Sequence, residues 1–144
     1  MKHLTGALAL TFFLSIIPIS SKGHEPAFTL DIDESGDVQP LSDGLLILRY
    51  LFGFSGSSLT SGATSTEAKR SDSDAITAYL DEHRDELDID FDGNERPLTD
   101  GLLILRYLFG FSESALTTGA VDALANRQTS AEIGYYFETI VDTD

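Results

Sequence analysis

Pro40-Leu41-Ser42-Asp43-Gly44-Leu45-Leu46-Ile47-Leu48-Arg49-Tyr50-Leu51-Phe52-Gly53-Phe54-Ser55 occurs twice in the chain. The second copy occupies residues 97–112, with a single change, Thr99 in place of Ser42. The offset of 57 residues also holds outside this block: Leu30-Asp31-Ile32-Asp33 maps onto Leu87-Asp88-Ile89-Asp90, and Arg70, Ile76 and Tyr79 map onto Arg127, Ile133 and Tyr136. Self-similarity at a fixed period marks a repeated supersecondary unit. The expected organisation is a leader over 24–30, a first repeat over 31–87 and a second over 88–144.

Each copy reads as loop, helix, loop, helix. The first helix is expected over about 42–52 and 99–109, with the hydroxyl of Ser42 or Thr99 at its start and Gly53 or Gly110 supplying a left-handed stop. Leu45, Leu46, Ile47, Leu48, Leu51 and Phe52 leave it almost no polar face, and a helix that is apolar all round is buried on several sides. Arg49 and Arg106 are expected to snorkel or to pair with a carboxylate. A second helix is expected over 72–84, with Ile76, Tyr79, Leu80, His83 and Leu87 at helical spacing. Its counterpart carries Ile133, Tyr136, Phe137 and Ile140 behind a Thr129/Glu132 capping box, with Tyr135, Tyr136 and Phe137 as packing residues. The Ser- and Thr-rich stretch 55–71 reads as a polar connector. The predicted fold is small and all-α, with the two Leu-rich helices paired at its centre.

The 144 residues include 24 acidic and 9 basic side chains, a net charge of −15, and no cysteine. Without cysteine there are no disulfides, thiolate metal sites or thiol nucleophiles. A small exported domain then needs another staple, and a bound metal is a common one. Export is suggested by Lys2 and His3, an apolar run over 8–19 and the small polar stretch 20–23, which together read as a signal peptide over 1–23. The run falls short of the ~20 apolar residues of a membrane span. Cleavage there leaves seven basic against 24 acidic residues, a net charge of −17. Such a surface repels nucleic acid and anionic lipid and favours hard cations. A secreted or periplasmic location is expected, with no nucleic-acid partner and no stable membrane insertion after cleavage.

The sharpest chemistry precedes each Leu-rich helix. The second copy reads Asp88-Ile89-Asp90-Phe91-Asp92-Gly93-Asn94, with a further acid at Asp100; the first reads Asp31-Ile32-Asp33-Glu34-Ser35-Gly36-Asp37, with a further acid at Asp43. Carboxylates at alternate positions point inward when a chain curls around a cation, and the glycine permits the sharp turn. A terminal acid at the start of the following helix closes the oxygen cage, as in the EF-hand loop. Two calcium ions are expected, one per loop, which makes the predicted architecture a tandem of two calcium-loop–helix–loop–helix units.

A D-x-D-x-D-G loop leading through Thr-Asp into a Leu-rich helix with an Arg-Tyr pair resembles dockerin type I repeats. The resemblance covers about 25 residues of each copy. It implies calcium ligands at Asp88, Asp90, Asp92 and Asp100, and at Asp31, Asp33, Ser35 and Asp43, with backbone carbonyls from Asn94 and Asp37. It also implies a cohesin-like secreted or surface partner for the paired helices. Three features depart from that pattern. The terminal acid falls at the thirteenth loop position rather than the twelfth, the repeat is longer by an amphipathic helix, and Leu41-Ser42 and Leu98-Thr99 stand where the family reads its partner.

Catalysis is not expected. Beyond Gly23 the only histidines are His24 and His83, neither in plausible triad spacing with a nucleophile. The chain therefore reads as a non-catalytic, calcium-dependent interaction module. A structural or calcium-buffering protein without a specific partner, or a fragment of a longer repeat protein, is the alternative.

Overall fold

The computed structural model describes residues 27–141. The expected signal peptide over 1–23, leader residues 24–26 and the acidic end 142–144 lie outside the described residues. The described chain is all-α: α1 (Leu45–Leu51), α2 (Ser57–Thr60), α3 (Ser73–Glu82), α4 (Leu102–Leu108), α5 (Glu113–Thr117) and α6 (Ser130–Val141), with no strand among the described residues.

Short π-helical turns, Pro40–Gly44 and Pro97–Gly101, lead into α1 and α4. They replace the expected hydroxyl-capped α-helical start, and neither turn has a side-chain cap. Each is closed by a bond across five residues, Gly44 N to the Gln39 carbonyl at 3.2 Å and Gly101 N to the Arg96 carbonyl at 3.1 Å. A π turn holds one residue more than an α turn. That extra residue is the one that puts the terminal acid at the thirteenth position. The insertion is absorbed locally, so Asp43 and Asp100 still face back into their loops.

The stops fall at the expected glycines. Gly53 and Gly110 have φ of +81° and +80°. Gly53 N donates to the Tyr50 carbonyl at 2.8 Å and Phe54 N to the Arg49 carbonyl at 2.9 Å, with the same pair of bonds at Gly110 and Phe111. These are the two bonds of a Schellman ending. The helices are not apolar-buried all round, however. Leu46, Ile47, Leu103 and Ile104 are fully buried, whereas Phe52 and Phe109 are half exposed, because the left-handed turn leads the chain away from the core just beyond them.

The two Leu-rich helices pack antiparallel. The start of α1 at Gly44 lies against Leu105 and Leu108, and the start of α4 at Gly101 lies against Leu48 and Leu51. A β-carbon on Gly101 would come within 2.8 Å of Leu48 Cδ1, so glycine sets how closely the helices approach. α3 joins the core through Ile76 and Leu80, and α6 through Ile133 and Phe137. The Phe137 ring stacks on Tyr107 at 4.1 Å. α3 is capped by Asp72, which accepts from the Asp74 and Ala75 amides, and it ends at Glu82 before a 3-10 turn, Arg84–Leu87. The Thr129/Glu132 capping box forms as expected, with Glu132 N donating to Thr129 Oγ1 and Thr129 N to Glu132 Oε2. Tyr135 is 70% exposed rather than packed.

Among the described residues Arg49 and Arg106 form no ion pair with a carboxylate. Arg49 Nη1 donates to the Leu59 and Ser61 carbonyls, and Arg106 Nη1 to those of Leu116 and Thr118. They tie down the ends of α2 and α5, the short helices inside the supposed connector and its counterpart.

Candidate metal centre

Each acidic loop is anchored by the apolar residues that alternate with its carboxylates. Leu30 and Ile32, and likewise Leu87 and Ile89, are fully buried in the common core. With these side chains committed to the core, the intervening aspartates turn towards the loop interior. Asp31 accepts from the Ser35 and Gly36 amides at 2.9 and 2.8 Å, and Asp88 from the Asp92 and Gly93 amides at 3.1 and 2.9 Å. Gly36 and Gly93 take φ of +100° and +88°, where a side chain would be strained.

Glu34 and Phe91 also adopt positive φ, 54° and 59°. Strained backbone of this kind persists where surrounding contacts hold it. At Phe91 the carbonyl accepts from Asn126 Nδ2 at 2.7 Å, and the Arg127 guanidinium lies 4.9 Å from the ring centre. At Glu34 the carboxylate pairs with Arg70 at 3.6 Å.

The terminal acids clasp their loops. Asp43 Oδ1 accepts from the Ile32 and Asp33 amides, and its Oδ2 from the Gln39 amide and Ser42 Oγ. Asp100 repeats the arrangement with Ile89, Asp90, Arg96 and Thr99 Oγ1. A carboxylate offers about four acceptor sites, and here the loop's own donors occupy them. Burial pushes both carboxyls above the usual carboxylate range, against the lowering effect of those bonds.

Two carboxylate groups meet the spacing of a metal site. Asp31, Asp33 and Asp43 form one, and Asp88, Asp90 and Asp92 the other; in each, one oxygen per residue lies within 4.8 Å of the others. Either cluster can hold a metal ion. Ser35 sits inside the first loop, its Oγ donating to the Asp37 carbonyl at 3.2 Å. Asn94, at the rim of the second, donates its amide to Asp92 Oδ1 at 2.8 Å.

Distant chain completes both loops. Ser65 N donates to Asp33 Oδ2 at 2.7 Å, and Asp122 N to Asp90 Oδ2 at 2.7 Å. Arg70 Nη1 donates to the Ile32 carbonyl at 2.6 Å; Arg127 Nη1 reaches the Asp88 and Ile89 carbonyls at 3.0 and 2.8 Å. Each guanidinium stacks on a tyrosine, Tyr79 at 3.9 Å and Tyr136 at 3.8 Å. Those phenols in turn donate to the Thr29 and Glu86 carbonyls just before each loop. Sequence reasoning missed these supports, although Arg70/Arg127 and Tyr79/Tyr136 were visible as matched positions. Ser65 and Asp122 act through backbone amides and left no such signal.

The loops differ at their third-position aspartates, Asp33 and Asp90. Asp33 has hydrogen bonds to both oxygens, Oδ1 from Ser35 N at 3.2 Å. Asp90 is fully buried, and its Oδ1 has no hydrogen-bond partner among the described residues. Burial pushes the Asp90 carboxyl up, and the neighbouring charges of Asp100, Asp92 and Asp88 add to it. A buried carboxylate oxygen without a donor is costly, and a cation is the partner its acidic surroundings favour. Comparison of the chain with protein-family models, curated proteins and solved structures found no match.

Proposed function

We propose that each acidic loop binds one calcium ion, in a tandem of two loop–helix units, and that the chain is a non-catalytic, dockerin-like interaction module that works outside the cytoplasm. The unpartnered Oδ1 of buried Asp90, between Asp88 and Asp92, is the observation that carries the reading. The donors at both loops are oxygens: carboxylates, the Ser35 hydroxyl and backbone carbonyls. An all-oxygen set suits a hard cation, and a flexible loop suits calcium better than magnesium, which demands near-ideal octahedral geometry and keeps its waters. The first loop's set is Asp31, Asp33, Ser35, Asp37 and Asp43, and the second's is Asp88, Asp90, Asp92, Asn94 and Asp100; Asp43 and Asp100 ligate only by giving up loop hydrogen bonds, and Asp100 lies outside the group formed by Asp88, Asp90 and Asp92.

Calcium in this reading is a folding staple. Five acidic residues crowd each loop, and a divalent ion relieves their repulsion. The antiparallel pair α1 and α4 then becomes a stiff surface for a cohesin-like protein. Thermal melting in calcium, magnesium and chelator tests the reading. Calcium should raise the melting temperature well beyond magnesium, and identical curves in all three would sink it. Among the described residues no helix is long and apolar enough to cross a membrane. Capture from an exported-protein fraction in calcium but not in chelator separates an interaction module from a calcium buffer.

A further inference from the structure

The second loop contains a cation of its own. Arg96 Nη1 lies 3.1 Å from Asp92 Oδ2 and 2.6 Å from Asp122 Oδ2, bridging a carboxylate of the candidate site to one just outside it. Fifty-seven residues upstream the corresponding trio is Gln39, Ser35 and Ser65, all neutral. At these three positions the second copy therefore has two carboxylates and one guanidinium where the first has neutral side chains, all within one bridge.

The backbone is indifferent to this difference. Gln39 and Arg96 have nearly the same dihedrals (φ −130°, ψ 139° and φ −121°, ψ 141°). Each donates its amide to the terminal acid at 2.8 Å. Ser65 and Asp122 likewise donate equivalent amides to Asp33 and Asp90. The side chains of the trio thus add charge chemistry to a frame that stands without them.

Building on the calcium reading, we propose that Arg96 is the internal counter-cation of the second loop. It shares the Asp92 carboxylate while no metal is bound and is released wholly onto Asp122 when a divalent ion takes Asp92. The carboxylate of Asp92 is only 2% exposed, so an uncompensated charge there is poorly solvated; the Arg96 side chain, 47% exposed, is free to move. Asp122 is the resting place that makes release possible, because the guanidinium never has to leave a carboxylate. Arg96 is in this sense a regulatory residue: it stabilises the metal-free loop and competes with the ion.

The two effects have opposite signs, which makes them separable from ordinary structural damage. Gly36 and Gly93 donate their amides to Asp31 and Asp88, so an NMR titration of full-length protein with calcium chloride at low ionic strength reads each loop separately. Arg96→Gln, the residue of the first copy, should tighten calcium at Gly93 by roughly two- to fivefold, the range of a partly exposed ion pair, and leave Gly36 unchanged. The same variant should melt at a lower temperature in chelator. Weaker or unchanged binding at Gly93, or affinity and chelated stability moving together, overturns the proposal. Asp122→Ser keeps the amide but removes the resting place. It should weaken binding more in the wild-type background than in Arg96→Gln, and equal losses in both overturn the mechanism. Failure of the wild-type Gly93 amide to respond to calcium would instead remove the calcium reading itself, and this inference with it.

Discussion

Asp90 and Asp122 are joined by a 2.7 Å hydrogen bond from the Asp122 amide to Asp90 Oδ2, across 32 residues of chain. That bond fixes the carboxylate plane and leaves Asp90 Oδ1 buried with no donor. The second loop is thus closed by chain from beyond α5, and the unpartnered oxygen is where the proposed ion would bind.

Asp90→Asn should consequently have opposite effects with and without calcium. Removing a buried, poorly paired charge should stabilise the chelated protein by about 1 kcal/mol. It should also abolish the calcium response at the second loop. Denaturant unfolding in chelator and calorimetric titration measure the two effects, and loss of stability in chelator would contradict the account of Oδ1.

The π turns explain how a thirteenth-position acid reaches its loop. Deleting Leu98, which is 67% exposed, should convert Pro97–Gly101 to an ordinary α turn and leave both flanks in place. The cost should stay below about 1 kcal/mol, a typical single-change effect, with calcium affinity retained. Collapse of calcium binding on this deletion would mean that the π geometry itself is required.

Gly44 and Gly101 set the spacing of α1 and α4. Both have helical dihedrals, so alanine brings a helix-propensity gain of about 1 kcal/mol. At Gly44 the new methyl would meet Leu105 Cδ1 at 3.0 Å, and at Gly101 it would meet Leu48 Cδ1 at 2.8 Å. Both neighbours are side-chain tips that can yield. Gly44→Ala should be near neutral, and Gly101→Ala destabilising by about 1 kcal/mol, an overpacking cost of about 2 kcal/mol less the propensity gain. Chemical denaturation of the two variants checks the order.

Acid should raise the stability of the metal-free protein and shrink the increment that calcium adds. Asp43, Asp90 and Asp100 all have carboxyls raised above the usual 3.8, chiefly by burial. A raised folded-state value means that stability is present at low pH and lost as pH rises through the raised value. In chelator the melting temperature should therefore climb as pH falls through the raised carboxyl range towards 3.8. The increment due to calcium should shrink over the same range, because protons compete for the same oxygens. Asp122 and Glu132, lowered by hydrogen bonds, pull the other way, but both are surface groups in high dielectric. A parallel fall of both melting curves with acid would be the contrary result.

Much of the candidate site was legible in the residues. Alternating Leu30-Asp31-Ile32-Asp33 and Leu87-Asp88-Ile89-Asp90, with Gly36 and Gly93 at the bend, separates core side chains from carboxylates by their period alone. Gly53 and Gly110 marked the Schellman stops, and Thr129 with Glu132 marked a helix start. The burial of α1 and α4 was overread, because an all-apolar pattern does not show that Phe52 and Phe109 leave the core at a left-handed turn.

The sequence by itself determined the helical class, the recurrence of the acidic stretch and the Leu-rich segment at a 57-residue offset, and the all-oxygen chemistry of the loops, since these follow from side-chain type and spacing. Tertiary structure decided which oxygens are already taken. Asp43 and Asp100 each take three backbone amides and one hydroxyl, Asp33 and Asp90 are held by Ser65 and Asp122, and Asp90 Oδ1 is left without a donor among the described residues. Every residue except proline carries a backbone amide, so a run of letters does not distinguish the few that point at a carboxylate. Only the return of the chain over each loop does that, and the same return brings Asp122 within reach of Arg96.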